Sequence, residues 1–283
     1  MQIVRTARHV KTRVCRDGRI PGMNPERDDL SAFLDVVSWS RKGGYPMVKV
    51  RDPKSIYQID GEIKNGSFHG RWHFSFGDYY DPQFLDFGTL RVFNDDTLTP
   101  GAVWPLHPHQ DNEVVTYVAA GEFRHADERG KGGVLKKGWV QHTTVGRGMW
   151  HSEINNLPDR PMRFIQMWFY PAEHGLEPSV EQKAIEKTDR TDRFLPLVSN
   201  WDQGALPIAA DARVFSSFLH AGKTEHYDLE TKRGIYLYVL EGGPITVNNV
   251  KVPLLGSAMI IEEKAIEVVA EQNAELLLVE VNM

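Results

Sequence analysis

The chain has 283 residues, of which 41% are hydrophobic and 25% are charged, so it can bury a sizeable core and wholesale disorder is excluded. Its 33 lysines and arginines stand against 38 aspartates and glutamates, for a net charge of −5. That balance argues against a protein that binds nucleic-acid phosphates directly over a broad surface. No stretch approaches the roughly 18 consecutive apolar residues of a membrane-spanning helix, so the sequence predicts no membrane partner.

The cysteine content and the N-terminus bear on the cell compartment. Cys15 is the one cysteine of the sequence, which excludes an intramolecular disulfide framework. The first 22 residues are basic, but no apolar segment follows them, so they do not form a secretory signal. A lone thiol without an export signal predicts a cytoplasmic protein.

Residues 1–45 are predicted to form an N-terminal extension. They are rich in charged residues, Gly and Pro, and contain one short stretch, Asp28–Trp39, in which apolar residues recur at helical spacing. No motif in this segment carries chemistry. We interpret it as an arm that lies outside the functional domains.

From Met47 onward the chain shows two groups of short strand patterns separated by turn residues. The predicted strands are Met47–Val50, Gly88–Val92, Glu113–Val118, Glu122–His125, Trp139–Thr144, Met149–Ile154, Met162–Phe169, Ala212–Phe218, Gly234–Leu240, Ile245–Val247, Ala258–Ile261, Ile266–Val269 and Ala274–Val281. A polar segment, residues 177–192, separates the two groups and indicates a connector. The even strand spacing is typical of barrels or sandwiches, so the sequence predicts an all-β fold of two barrels in tandem.

The strongest chemical signal is two pairs of metal-ligand residue types. His107 and His109 are two positions apart, and so are His151 and Glu153. Residues two apart on a strand face the same side, so four ligand groups would converge if the two strands are neighbours. Three imidazoles and one carboxylate suit Fe(II), Ni(II), Co(II), Cu(II) or Zn(II), with positions left open for a substrate.

Other polar residues give weaker signals. His125 is close to a turn and is predicted to face solvent. Gln141 and His142 should point to opposite faces of one strand, and we place Gln141 inside. No Gly-x-Ser-x-Gly motif or Cys/His nucleophile pair is present, which argues against a serine or cysteine hydrolase.

The first histidine pair belongs to a longer motif that resembles a known family. His107-x-His109-x-x-x-Glu113 followed by Gly121 is similar to the first cupin motif. More specifically, the chain resembles the pirin family across roughly residues 68–183. The runs that carry this resemblance are HPHQDNEVVTYVAAGEFRHADERGKGGVLKKGWVQHTTVGRGMWHSE (107–153), FSFGDYYDP (74–82), LRVFNDD (90–96) and GLEPSVEQK (175–183).

The resemblance implies a bicupin, that is, two tandem antiparallel β-barrels of the jelly-roll type. Its parts would be the extension (1–45), a metal-binding cupin domain (46–183), a connector (184–211) and a metal-free C-terminal cupin domain (212–283). It implies one divalent transition metal, with Fe(II) favoured and Ni, Co, Cu, Mn or Zn as alternatives. The implied ligands are His107, His109, His151 and Glu153.

The resemblance also implies one of two functions. Some pirins are quercetin 2,3-dioxygenases, which open a flavonol ring with O₂. Others are iron-dependent regulatory proteins whose partner is a transcription factor or a metabolic enzyme. In the first case Glu153 would also take the proton of the flavonol 3-hydroxyl. The implied supporting and substrate-stacking residues are Glu113, Gln141, Phe74, Phe76 and Trp168.

Overall fold

The computed structural model describes residues 47–128 and 132–283, so the predicted extension and its helical pattern lie outside the described residues. Nearly all elements in the described ranges are antiparallel β-strands, which confirms the all-β prediction. Helical structure there is limited to two 3-10 turns, Pro53–Ser55 and Lys187–Arg190. Across these ranges, no helix has the length and apolar character needed to cross a bilayer.

The strands follow one another closely along the chain. Those up to the predicted connector are β1 (Met47–Arg51), β2 (Tyr57–Ile63), β3 (Gly66–Trp72), β4 (Leu90–Leu98), β5 (Val103–His109), β6 (Glu113–Ala120), β7 (Glu122–Asp127), β8 (Gly132–Lys136), β9 (Val140–Thr144), β10 (Met149–Asn155), β11 (Met162–Phe169) and β12 (Ser179–Lys183). The later ones are β13 (Leu195–Val198), β14 (Ala212–Leu219), β15 (Thr224–Asp228), β16 (Arg233–Gly242), β17 (Ile245–Val247), β18 (Val250–Val252), β19 (Ser257–Ile261), β20 (Ala265–Ala270) and β21 (Ala274–Asn282).

The first half is built from two sheets that share one core. The larger sheet has the order β12-β9-β6-β11-β4-β3-β2, and the smaller one has the order β5-β10-β7-β8. Leu98 and Val118 of the larger sheet pack with Phe123 and Leu135 of the smaller one. The core therefore lies between the sheets, as in a jelly roll, and the smaller sheet carries both predicted ligand pairs.

The second half repeats this arrangement without a repeated sequence. Its sheets have the orders β1-β19-β16-β21-β14-β13 and β15-β20-β17-β18. Leu237 and Leu276 of the larger sheet pack with Val247 and Val268 of the smaller one. Two jelly rolls in tandem confirm the predicted bicupin fold.

Strand β1 lies in the second half, although its sequence precedes the first. It pairs with β19 from Met47 opposite Ile261 to Arg51 opposite Ser257, and Val48 packs against the second core. The pairing covers a row of backbone groups on β19 that would otherwise be a free sheet edge. The sequence alone placed this strand at the start of the first domain. The predicted polar segment, residues 177–192, contains strand β12, which pairs with β9. The predicted connector, residues 184–211, contains strand β13, which pairs with β14.

Candidate metal centre

Three histidine side chains converge where β5 and β10 run side by side. The strands are antiparallel, with His151 opposite His107 and Met149 opposite His109. Because residues two apart share a face, His107 and His109 point the same way and meet His151 on the neighbouring strand. One nitrogen of each ring lies within 4.8 Å of the other two, and the Nε2 atoms of His107 and His151 are 3.1 Å apart.

The contacts around these rings leave nitrogen lone pairs available. His107 Nδ1 is 2.7 Å from the Pro105 carbonyl oxygen. Since a carbonyl only accepts, Nδ1 carries the proton and Nε2 keeps its lone pair. His109 Nε2 is buried with no hydrogen-bond partner among the described residues, and its ring packs edge-on against Trp168 at a centroid distance of 4.7 Å. This donor set fits a borderline divalent metal ion.

Burial keeps two of the imidazoles, those of His109 and His151, neutral, which metal binding requires. The pKa of His109 is lowered to about 4, mainly by the loss of water around the ring and to a smaller extent by the electric field of His107. Burial and the neighbouring histidines lower the pKa of His151 to about 2. Near neutral pH these two rings are therefore uncharged, so no proton has to leave before a metal binds.

Glu153 lies on the same face of β10 as His151 and is 4% exposed. It is not part of the group of three imidazoles that lie within reach of one ion. Instead, Gln166 Nε2 donates a hydrogen bond to its Oε1 atom, and Trp168 Nε1 donates to Gln166 Oε1 over 2.9 Å. Burial raises the pKa of Glu153, so this carboxylate is a stronger base than an exposed one.

A second buried acid lies deeper in the same half. Asp96 on β4 accepts a hydrogen bond from Trp72 Nε1 over 3.2 Å. Burial, opposed by this hydrogen bond and reinforced by nearby acids that include Glu153, raises the pKa of Asp96 well above its usual range. The interior behind the histidines is therefore polar and is supplied with hydrogen-bonding groups, unlike the apolar core of the second half.

Sequence comparison identifies the family. Residues 57–169 match the family profile described as Pirin, and residues 197–281 match that of the quercetinase C-terminal cupin domain. A pirin-like protein of Caulobacter vibrioides is 40% identical over 222 residues, which are 78% of this chain and 95% of that protein. The chain belongs to the pirin family. This pirin is also 32% identical over 227 residues to a quercetin 2,3-dioxygenase of Escherichia coli K12, which are 79% of this chain and 97% of that protein.

Solved structures agree with the fold of this pirin. The bacterial pirin YhhW of Escherichia coli, crystallised in complex with nickel(II), superposes with a TM-score of 0.77 at 28% identity, over 83% of this chain and 99% of that one. A quercetin 2,3-dioxygenase of Acinetobacter baumannii superposes with a TM-score of 0.65 at 21% identity, over 83% and 87% of the two chains. At that lower identity the likeness concerns the fold alone.

The predicted supporting residues divide between the two faces of the larger sheet of this pirin. Gln141 is opposite Thr116, which is opposite Gln166, so Gln141 shares the inward face, as predicted. Glu113 faces the other way. Its Oε2 atom accepts hydrogen bonds from His142 Nε2 at 2.7 Å and from the Ala209 amide at 3.0 Å. The prediction that Glu113 supports the metal ligands is therefore wrong, because alternation along β6 turns it toward the second half.

The predicted aromatic residues divide in the same way. Trp168 packs on His109, and Phe76 meets Trp168 edge-on at a centroid distance of 5.3 Å. Phe74 is fully buried and packs against Tyr236 of the second half at 5.3 Å. Phe74 therefore cannot stack a substrate at the histidines, and its prediction as a pocket residue is wrong.

His125 was predicted to face solvent, but the structure buries it beside the cluster. It is 2% exposed, and its Nε2 atom is 3.0 Å from Nδ1 of His151. Burial lowers the pKa of His125 to about 4, against the opposing field of Asp127. The alternation of β7 carried a usable signal, because apolar Phe123 shares its face with His125 and Asp127.

A surface groove opens beside His109. Its lining residues are Pro108, His109, Gln110, Gly148, Met149 and Trp150. Trp150 is 49% exposed, and Leu106 on the neighbouring strand is 53% exposed. Both side chains point away from the imidazoles of His107 and His151, because neighbouring positions on a strand face opposite sides of the sheet.

Proposed function

We propose that this pirin is a metal-dependent dioxygenase that opens flavonols such as quercetin with O₂. The observation that carries the proposal is the cluster of three imidazoles, one of which, His109, lines a surface groove and packs against Trp168. The similarity to the quercetin 2,3-dioxygenase of Escherichia coli K12 supports the proposal, since the aligned region covers 97% of that protein. A flat, electron-rich aromatic molecule suits the aromatic side chains of Trp168 and Phe76 next to His109.

We propose that His107, His109 and His151 hold one divalent ion and that Glu153 serves as the fourth ligand. A bound ion would supply Lewis acidity toward the hydroxyl and keto oxygens of the flavonol. We propose Fe(II) as the native ion, which three imidazoles and a carboxylate suit. Nickel is an alternative, because the Escherichia coli pirin YhhW was crystallised with nickel(II).

The protein's own residues would prepare the substrate. Glu153 would take the proton of the flavonol 3-hydroxyl, a task for which its raised pKa suits it. Gln166 would orient the carboxylate through the hydrogen bond to Oε1, and Trp168 holds Gln166 in turn. Trp168 would contact the bound rings, because it packs edge-on against His109, whereas Trp150 points to the opposite face of β10 from His151.

Metal analysis of the purified protein tests the ligand assignment. We expect one metal ion per chain in the wild type and none in His107→Ala or His151→Ala, because each change removes a clustered imidazole. His226→Ala is the control, since that histidine is exposed in the second half. Two ions per chain, or full metal content in both ligand variants, would contradict the assignment.

Aerobic turnover of quercetin tests the activity. We expect the metal-loaded wild type to remove the long-wavelength absorbance of the flavonol, and His151→Ala and an anaerobic sample not to do so. A wild type that holds one ion per chain and turns over no flavonol would reject the dioxygenase. That result would favour the regulatory reading, with a protein as partner.

A further inference from the structure

His125 lies directly behind one of the three clustered histidines. The Nε2 atom of His151 faces His107, at 3.1 Å, and its Nδ1 atom faces His125 Nε2, at 3.0 Å. The two rings of that second contact are nearly perpendicular, with centroids 5.0 Å apart. Both side chains are buried, at 2% and 3% exposure, so water does not compete for the contact.

The position of a single proton decides what this contact does. A neutral imidazole carries its proton on one nitrogen and a lone pair on the other. If His125 donated, His151 would accept at Nδ1 and carry its own proton on Nε2, where a metal could not bind. If His151 donates from Nδ1, its Nε2 lone pair points at His107 and the metal position. Metal-binding histidines generally use such an acceptor behind the ring.

We propose that His125 is a positioning residue that accepts the Nδ1 proton of His151 and so presents the His151 Nε2 lone pair to the metal. This inference rests on the proposed metal site and deepens it. His125 must then be neutral, with its own proton on Nδ1. It has no direct contact with the metal position and belongs to no predicted ligand set.

The backbone around His125 is built to hold the ring in place. Its strand β7 lies between β10 and β8, where His125 is opposite Glu153 on one side and Gly133 on the other. A Cβ atom at Gly132 would lie 2.3 Å from the His125 carbonyl oxygen and 2.9 Å from its Nδ1 atom. Gly132 also has a φ of +136°, so no larger residue fits there without moving the histidine.

Two substitutions distinguish the effect of the hydrogen-bond acceptor at residue 125 from the effect of side-chain volume. His125→Leu removes every acceptor, whereas the amide oxygen of His125→Gln can still accept from His151 Nδ1. We expect His125→Leu to weaken Zn(II) binding by roughly 10- to 100-fold, and His125→Gln to restore most of the loss. Zn(II) alone is the probe, titrated against a chromophoric chelator, so the result does not depend on catalysis.

His142→Leu is the matched control for loss of a buried histidine. His142 is also 2% exposed and hydrogen-bonded, but its partner is Glu113 on the far face of the sheet. We expect His142→Leu to lower stability and leave Zn(II) affinity unchanged in the folded protein. An equal loss of affinity in the two leucine variants would mean that His125 acts only through general stability, which would overturn the proposal.

Nitrogen-15 NMR of histidine-labelled wild type gives a second readout that needs no variant to fold. In the Zn(II)-loaded protein, His125 should carry its proton on Nδ1 and accept at Nε2. A proton on His125 Nε2 would overturn the proposal, as would unchanged affinity in His125→Leu. If the wild type itself binds no Zn(II), Fe(II) or Ni(II), the metal site fails and this inference fails with it. If the wild type binds Zn(II) tightly and His125→Leu binds it equally tightly, the metal site stands and only the inference about His125 fails.

Discussion

Burial acts in opposite directions on the bases and the acid of the metal centre. It lowers the pKa of His109 to about 4 and that of His151 to about 2, while it raises the pKa of Glu153. The cause is the same in each case, because removal of water disfavours whichever form is charged. The histidines are thereby kept as neutral ligands, and the carboxylate gains basicity.

The first prediction concerns Glu153→Gln. This change keeps the shape and an oxygen donor but removes the negative charge and most of the basicity. If Glu153 is both fourth ligand and proton acceptor, metal affinity should fall moderately. Flavonol turnover at saturating metal should fall by roughly 10²- to 10⁴-fold, as is typical for loss of a general base. Metal content and oxidation rate are measured on the same samples.

Glu113→Gln is the matched control for that experiment. Glu113 is also fully buried, but it faces the second half and bonds His142. It should keep wild-type turnover once loaded with metal, because its carboxylate does not reach the pocket. A Glu153→Gln protein that holds metal and turns over at the wild-type rate would reject the base role.

Strand pairing determines which side chains can meet. In the smaller sheet of the first half, β10 lies between β5 and β7, so His151 has one histidine on each flank. A register shift between His151 and Glu153 then places Glu153 opposite Trp104 on β5. The irregularity therefore changes the pairing with β5 between the two predicted ligands of β10.

The second prediction tests the role of β1 in the second half. A chain that begins at Met47 should fold and load metal, since residues before it supply no predicted ligand. A chain that begins at Asp52 should be less stable by about 2 to 4 kcal/mol, because Val48 and Val50 no longer pack on the second core. Urea unfolding of both chains measures the difference.

Gel filtration of the same two chains adds an independent check. Loss of β1 exposes the backbone edge of β19, which favours association between copies. The chain from Asp52 should therefore self-associate more than the chain from Met47. Equal unfolding midpoints and equal elution volumes would show that β1 contributes little to the second half.

Buried polar contacts join the two halves of the molecule. Tyr238 of the second half donates to Asp95 of the first over 2.6 Å, and Asp95 also pairs with Arg163 at 2.6 Å. His73 Nδ1 lies 2.6 Å from the hydroxyl of Tyr236. Since unpaired polar groups are costly in such a place, these contacts restrict how the two larger sheets can pack.

The third prediction concerns how stability depends on pH through His73, which lies among the contacts between the two halves. Burial, together with the positive fields of Arg51 and Arg71, lowers the pKa of His73 well below its usual range. Below about pH 6.5 the unfolded chain binds a proton at this residue that the folded chain does not bind. Stability should therefore fall as pH falls, by up to about 1.4 kcal/mol per pH unit for this one group.

Urea unfolding at about pH 7.5 and about pH 5 measures this effect in the wild type and in His73→Gln. The variant should lose about 2 kcal/mol less stability between the two conditions than the wild type does. His226→Gln is the control and should follow the wild type, because that side chain is exposed. An identical pH dependence in His73→Gln and wild type would show that His73 does not contribute.

The local sequence pattern was sufficient to predict the all-β fold and to predict that the two histidines of β5 share a face. The period of two along a strand is a property of the backbone itself, so His107 and His109 had to share a face wherever their strand lay. Strands such as Met162–Phe169 and Ile245–Val247 were predicted with their observed bounds because apolar residues run through them. Weakly patterned strands such as β2 and β3, with their half-exposed residues, were missed.

Only the tertiary structure decided which strands are neighbours and which face of each is inward. Nearly every residue of β6 is buried, so alternation in the sequence could not show that Glu113 faces the second half. The pairing of β1 with β19 joins residues about 200 positions apart, and no local pattern encodes such a choice. His125 gained its place behind His151 in the same way, because β7 and β10 are neighbours only once the sheet has formed.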